Sequence, residues 1–200
     1  MQNLSLFFHK KNNTRNANID FLRVVAQFAI VIHHLLYHGK LIDKYPQFKE
    51  LQFIKILCFW HVSTFGMVSG LIGNRNHNFS QLLYLWILVI FYSFIFYKKF
   101  NKSNAFTLNL DIKSVIFPVI YKNYWYFTAY FGIFPFLPLL NTNVSLLSQI
   151  EMKKIIYFMI GIFIMWPSYY NDCFKQNFGY SPFSLLIFYI FGCYISKYFI

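Results

Sequence analysis

The sequence predicts an all-α integral membrane bundle of about six transmembrane helices. Hydrophobic residues make up 58% of the 200 and charged residues only 12%, whereas soluble domains carry about 25% charged residues. The apolar residues also gather into runs that approach the ~20 residues a helix needs to cross ~30 Å of hydrocarbon at about 1.5 Å per residue. Aromatic residues reach 24%, mostly Phe and Tyr, and suit both bundle interiors and membrane interfaces. Together these features exclude an ordinary soluble globule.

The runs fall in order. The first spans Asp20 to His38, the second Leu51 to Ile72 and the third Gln81 to Tyr97. A fourth covers Tyr124 to Leu140, a fifth Ile155 to Trp166 and a sixth Phe183 to Ile200. The fifth is short, and Gly161 and Pro167 predict an early stop or a tilt. Between the third and fourth, Asn101 to Lys122 is mixed in character, as expected of a re-entrant or interfacial segment. With no repeat and no Gly/Ser-rich linker, residues 1–200 read as one membrane domain preceded by a cytoplasmic tail over residues 1–17. The last run reaches Ile200 without a polar tail, the pattern of a chain cut within a longer protein.

The formal charge of +12 lies in short clusters between apolar runs, among them Lys10-Lys11, Lys98-Lys99 and Lys153-Lys154. Anchoring at the headgroups explains such clusters, and no basic recognition helix or finger spacing points to nucleic acid. Lys10, Lys11 and Arg15 favour a cytoplasmic N-terminus. Simple alternation from there would put Lys98, Lys99, Lys102, Lys113 and Lys122 outside, against the positive-inside rule. Cys58, Cys173 and Cys193 show no CxxC spacing, so neither a zinc site nor a disulfide framework is expected. The opening apolar patch, Leu4 to Phe8, is too short for a secretory signal.

The first helix carries the chemistry. Polar groups at membrane depth are unfavourable unless they meet a polar interior, a cavity or a channel. At about 100° per residue, Asp20, Arg23, Gln27, His34 and His38 fall within roughly 60° of one another, and His33 lies off that stripe. Arg23 and His34 stand about three turns and 16 to 17 Å apart along the axis. An imidazole titrating near neutrality can take a proton from a hydroxyl and return one to a leaving group. A guanidinium stays charged and can clamp a phosphate or an oxyanion with a fork of donors. The alternative is structural: Arg23 snorkels to the headgroups with Asp20 beside it, and His34 bonds a neighbouring helix.

Arg23, ten residues and then His34, within Asn18-Ile-Asp-Phe-Leu-Arg-Val-Val-Ala-Gln-Phe-Ala-Ile-Val-Ile-His-His, resembles the opening helix of the acyltransferase 3 family. Phe65-Gly-Met-Val-Ser-Gly resembles the end of that family's second helix, and Tyr124-Trp-Tyr-Phe-Thr-Ala-Tyr, continuing to Pro138 and Asn141, resembles the Trp-aromatic helix of polysaccharide-acetylating members. The resemblance covers most of the chain, although members of the family carry several more membrane helices than are counted here. It implies acetyl-CoA, or another acyl-CoA, as donor substrate with no bound cofactor or metal, and a glycan hydroxyl as acceptor at a bacterial cell membrane. It also implies catalytic roles for His34 and Arg23. Asp20, Gln27, His61 and Trp125 are the candidate substrate-binding residues. His61 alternatively bonds between helices, Ser69-Gly70 makes a close helix contact rather than a nucleophile, Trp125 belongs to an aromatic belt, and His77 is solvated. Competing functions are a transporter or channel, which calls for paired broken helices in two related halves that the sequence does not show, and an inactive fragment of a truncated acyltransferase.

Overall fold

The computed structural model describes residues 16–73, 79–100, 112–117, 119, 124–172 and 179–199. Among these residues every regular element is helical. Lys10, Lys11, Arg15, His77, Cys173 and most of the Asn101–Lys122 stretch lie outside them. The chain divides into two compact units, Met1–His61 and Val62–Ile200.

In the first unit, α1 (Ala17–Tyr37) begins where the Asn16 side chain accepts a hydrogen bond from the Asn18 backbone N–H at 3.0 Å. That cap satisfies one of the donors that a helix start leaves unpaired. The helix packs against α2 (Leu41–Lys44) and α3 (Lys49–Leu57). Its inward face is built from Ala26, Ala29, His33 and Leu36, the i, i+3, i+7, i+10 spacing of one helical stripe. The two alanines let a neighbouring backbone approach closely.

The boundary between the units falls after the first residue of α4 (His61–Ile72), and the second unit continues through α5 (Phe79–Phe100) and α6 (Ile112–Ile116). Next come α7 (Trp125–Ile133), α8 (Leu137–Leu146), α9 (Gln149–Ile160), α10 (Trp166–Tyr169) and α11 (Pro182–Tyr198). Its core gathers Phe134, Leu137, Met152, Ile156, Ile187, Tyr189 and Ile190. α11 packs on both α7 and α9. Tyr189 Oη–H, in this core, donates to Asn141 Oδ1 at 2.6 Å, and elsewhere in the unit Ser93 Oγ–H donates to Tyr124 Oη at 3.1 Å. Trp86 Nε1–H, on α5, donates to the Ile116 carbonyl at 3.3 Å. Lys197 Nζ closes the C-terminal end of α8, donating to the carbonyls of Val144, Ser145 and Leu147 at 3.1, 2.9 and 2.6 Å. A cation there meets both the unpaired carbonyls and the negative end of the helix dipole.

Among the described residues, three helical stretches are long and apolar enough to cross a bilayer: Ala17–Tyr37, Lys49–Ile72 and Phe79–Lys98. They correspond to the first three segments predicted from sequence. Their outward residues are large and apolar, with Phe28 and Ile87 each 66% exposed, a pattern that suits lipid contact and not water. The sixth segment forms α11, an apolar helix of 17 residues.

The fourth and fifth segments differ from expectation in an informative way. Instead of ending near Leu140, the fourth runs on to Leu146, passing through a 3-10 turn at Phe134–Phe136. Instead of stopping early, the fifth stays helical from α9 to Tyr169 through a π turn at Gly161–Met165. Pro135, Pro138 and Pro167 each occupy a first-turn position of the segment they open. A proline inside a helix withholds one N–H and crowds the turn before it, and here the helix changes its pitch and continues. α9 itself is nucleated by a reciprocal cap: Ser148 Oγ accepts from the Glu151 N–H, and the Ser148 N–H donates to the Glu151 carboxylate. These bonds from Ser148 hold the Glu151 carboxyl below its usual titration range.

Within the second unit, α4 and α11 meet backbone to backbone. A Cβ on Gly70 would collide with the Tyr189 carbonyl, and one on Gly192 with the Met67 carbonyl. Gly66 faces the Leu185 carbonyl, where an added Cβ would sit 3.1 Å away. Gly66 and Gly70 are one helical turn apart, the small-xxx-small spacing that lets apolar helices approach closely. The close-contact reading of Gly70 therefore holds, and Ser69 Oγ–H turns back to the Phe65 carbonyl at 2.8 Å.

Gly70→Ala and Gly192→Ala should each lower stability by about 1–3 kcal/mol through overpacking against unyielding backbone. Gly132→Ala, where an added Cβ meets nothing within 4 Å, should instead raise stability by about 0.5–1 kcal/mol through helix propensity. Thermal unfolding of the detergent-solubilised protein measures all three.

Candidate functional site

The polar stripe predicted on α1 is present as one face. Arg23, Gln27, His34 and His38 are exposed and Asp20 is half-buried, all within the angular sector that their spacing dictates. Arg23 Nη1–H donates to Asp20 Oδ1 at 3.3 Å, an i,i+3 pair whose guanidinium side chain is 43% exposed. An exposed pair of this kind contributes about 0–1 kcal/mol. It serves better to aim the guanidinium than to hold the helix.

The histidine turned inward is His33, which the wheel placed off the stripe. It is only 6% exposed, and neither ring nitrogen has a hydrogen-bond partner among the described residues. Its neighbours are rings. His61 lies 5.0 Å away between centroids, Phe59 meets it edge-on at 6.1 Å, and Tyr37 stacks nearly parallel at 6.2 Å. His34 lies 6.2 Å from His33, and His38 lies 5.2 Å from His34. Four imidazoles therefore follow one another from the interior of the unit to its surface. Lys55 Nζ sits over the Tyr37 ring at 5.1 Å, beside this row.

His61 owes its place to a break in the second membrane-length stretch. α3 ends at Leu57, residues 58–60 form a turn, and α4 begins at His61. The turn is closed by 3-10-type bonds, Phe59 N–H to the Ile56 carbonyl at 3.1 Å and His61 N–H to the Cys58 carbonyl at 3.4 Å. His61 Nδ1 also bonds the Cys58 carbonyl. A carbonyl only accepts, so Nδ1 carries the proton and Nε2 carries the lone pair of the neutral ring. At 1% exposure His61 is among the most buried polar side chains described. Its bond runs to its own segment, not across to another helix as the alternative reading had it.

Irregular backbone at membrane depth persists only where protein or a wet cavity satisfies it. Here the imidazole does part of that work. No group of three or more His, Cys, Asp or Glu among the described residues is arranged to hold a metal ion. The histidine row sets four rings at successive centroid separations of 5.0, 6.2 and 5.2 Å.

Trp125 opens α7 in the second unit. It is half-buried, with Tyr180 edge-on at 4.9 Å and Tyr126 edge-on at 5.8 Å. The two flanking rings fix the indole.

Sequence reasoning named Arg23, His34 and His61 but passed over His33. The signal that identifies it is the pair of small residues Ala26 and Ala29: they mark the packing face, and His33 continues their stripe one turn on. A family model described as an acyltransferase domain, of the acyltransferase 3 type, matches residues 16–200 and so extends across both units. Neither the curated proteins nor the solved structures give a match.

His61→Asn keeps an N–H donor near the position of Nδ1, whereas His61→Leu removes it and leaves the Cys58 carbonyl only the longer bond from the residue-61 backbone N–H. The leucine variant should lose about 1–3 kcal/mol and the asparagine variant distinctly less, read as thermal midpoints in detergent. Equal losses would mean that the bond to Cys58 does not hold the turn.

Proposed function

The chain belongs to the acyltransferase 3 family, and we propose that it transfers an acyl group, acetyl in the first instance, from acyl-CoA to a hydroxyl of a cell-surface or exported polysaccharide. In this reading it is a multi-pass protein of the cell membrane with a cytoplasmic N-terminus, and the two units work as one membrane domain. The observation that supports the reading most is the common face of Arg23 and His34, which leaves a titrating base and a permanent cation open on the same side of one apolar helix. Against lipid such a face would be strongly unfavourable. Against water and substrate it is useful.

The chemistry follows from the side chains. His34 takes the proton of the acceptor hydroxyl as its oxygen attacks the thioester carbonyl, and that proton ends on the departing thiolate. Arg23, aimed by Asp20, clamps the charged portion of the donor through its remaining N–H groups. Gln27, between them on the same face, offers both a donor and an acceptor to the bound molecules. Trp125, braced by Tyr180 and Tyr126, is the proposed stacking surface for a sugar ring.

In isolated membranes containing the full chain, His34→Ala should reduce transfer of labelled acetyl groups from acetyl-CoA to glycan by about 10²–10⁴-fold. Arg23→Ala should abolish it and Arg23→Lys should restore only part, because an ammonium lacks the planar fork. All three variants should insert normally. Transfer at the wild-type rate by His34→Ala or Arg23→Ala would remove the assigned roles.

A further inference from the structure

His34 does not stand alone, and its inward neighbours have no role in the chemistry above. His33 is more than nine-tenths buried, and among the described residues neither of its nitrogens has a partner. A ring in that position pays the desolvation of two polar atoms for no bond in return, whereas an apolar residue of similar size would pack there freely. Immediately behind it stands His61, with Nδ1–H fixed on the Cys58 carbonyl and therefore a defined tautomer. On the other side, His34 and His38 carry the row outward to exposed positions. Among the described residues, other titratable or charged groups beside the row include Cys58, whose carbonyl holds His61, Tyr37, stacked on His33, and Lys55, which lies over Tyr37.

We propose that His33 and His61 form a proton relay that acts through His34: the proton His34 takes from the acceptor passes to the buried pair and returns along the same rings when the thiolate leaves. Bonds and charges balance without another reactant. The acceptor O–C bond forms, the acyl C–S bond breaks, and one proton moves from hydroxyl oxygen to His34, on to His33 and its neighbour His61, and back to sulfur. The relay changes nothing net. It restores the lone pair of His34 while the thiolate is still leaving, which a single imidazole cannot do. Both residues are positioning residues in this scheme, since neither touches substrate. The inference rests on the acyltransferase reading, and the measurements separate the two.

The test compares His33→Gln and His61→Asn with wild type in membranes containing the full chain, following thiol release from acetyl-CoA in mixtures of H2O and D2O. Each variant should lower kcat about tenfold with KM for acetyl-CoA within about twofold of wild type. The dependence of rate on deuterium fraction, curved in wild type because several protons are in flight, should become linear. Titration of ¹⁵N-histidine-labelled protein in micelles provides a readout that needs no turnover. The His33 and His34 resonances should titrate as a coupled pair in wild type, and His33→Gln should remove that coupling from the His34 curve while leaving the one to His38. Wild-type turnover together with unchanged kcat and unchanged curvature in a folded His33→Gln overturns the relay and leaves the acyltransferase reading intact. Absence of turnover in wild type overturns the acyltransferase reading and with it the relay's part in acyl transfer, and the micelle titration then decides whether the rings exchange protons at all. Independent titration of His33 and His34 in wild type overturns the relay whatever the activity.

Discussion

The hydrogen bond between the His61 ring and the Cys58 carbonyl is the interaction on which the arrangement of polar groups in the first unit depends. Hydrocarbon supplies no partners, so a chain that interrupts a membrane helix must satisfy the freed groups from its own side chains. At Cys58–Trp60 an imidazole meets that demand. In doing so it loses the freedom to exchange tautomers and is held 5.0 Å from a second imidazole. A solution to a backbone problem thereby sets the chemistry of a side chain. Phe59 and Tyr37 then pack against His33 as further rings.

Much of this was legible in the sequence. The common face of Asp20, Arg23, Gln27, His34 and His38 follows from helical periodicity alone, and periodicity survives in any helix. What a helical wheel cannot supply is which sector packs against protein, and so it put His33 aside. Only the small side chains of Ala26 and Ala29 betray that sector, because close packing selects for them. The break after Leu57 was illegible for a different reason. No proline or glycine stands in Leu57-Cys-Phe-Trp-His, and a turn stabilised by a side chain leaves no trace in composition.

The prolines show the reverse case. Pro167 is conspicuous in the sequence and predicts an early stop or a tilt, yet the fifth segment stays helical past it by way of a π turn over Gly161–Met165. Pro135 and Pro138 lie inside the fourth run, and there the helix tightens to a 3-10 turn and continues. A proline inside a helix withholds one N–H and crowds the preceding turn, and a change of pitch absorbs both. A hydropathy reading weighs side chains and is blind to that change.

The reciprocal seating of Gly70 and Gly192 has a mechanical consequence. Each glycine accepts a main-chain carbonyl of the opposite helix, so α4 and α11 are meshed like two racks with interlocked teeth. Neither can slide along the other by a residue, nor roll about its own axis, without main chain striking main chain. Whatever displacement the protein undergoes as it works, this pair travels as a single strut, and compliance has to come from joints elsewhere in the chain.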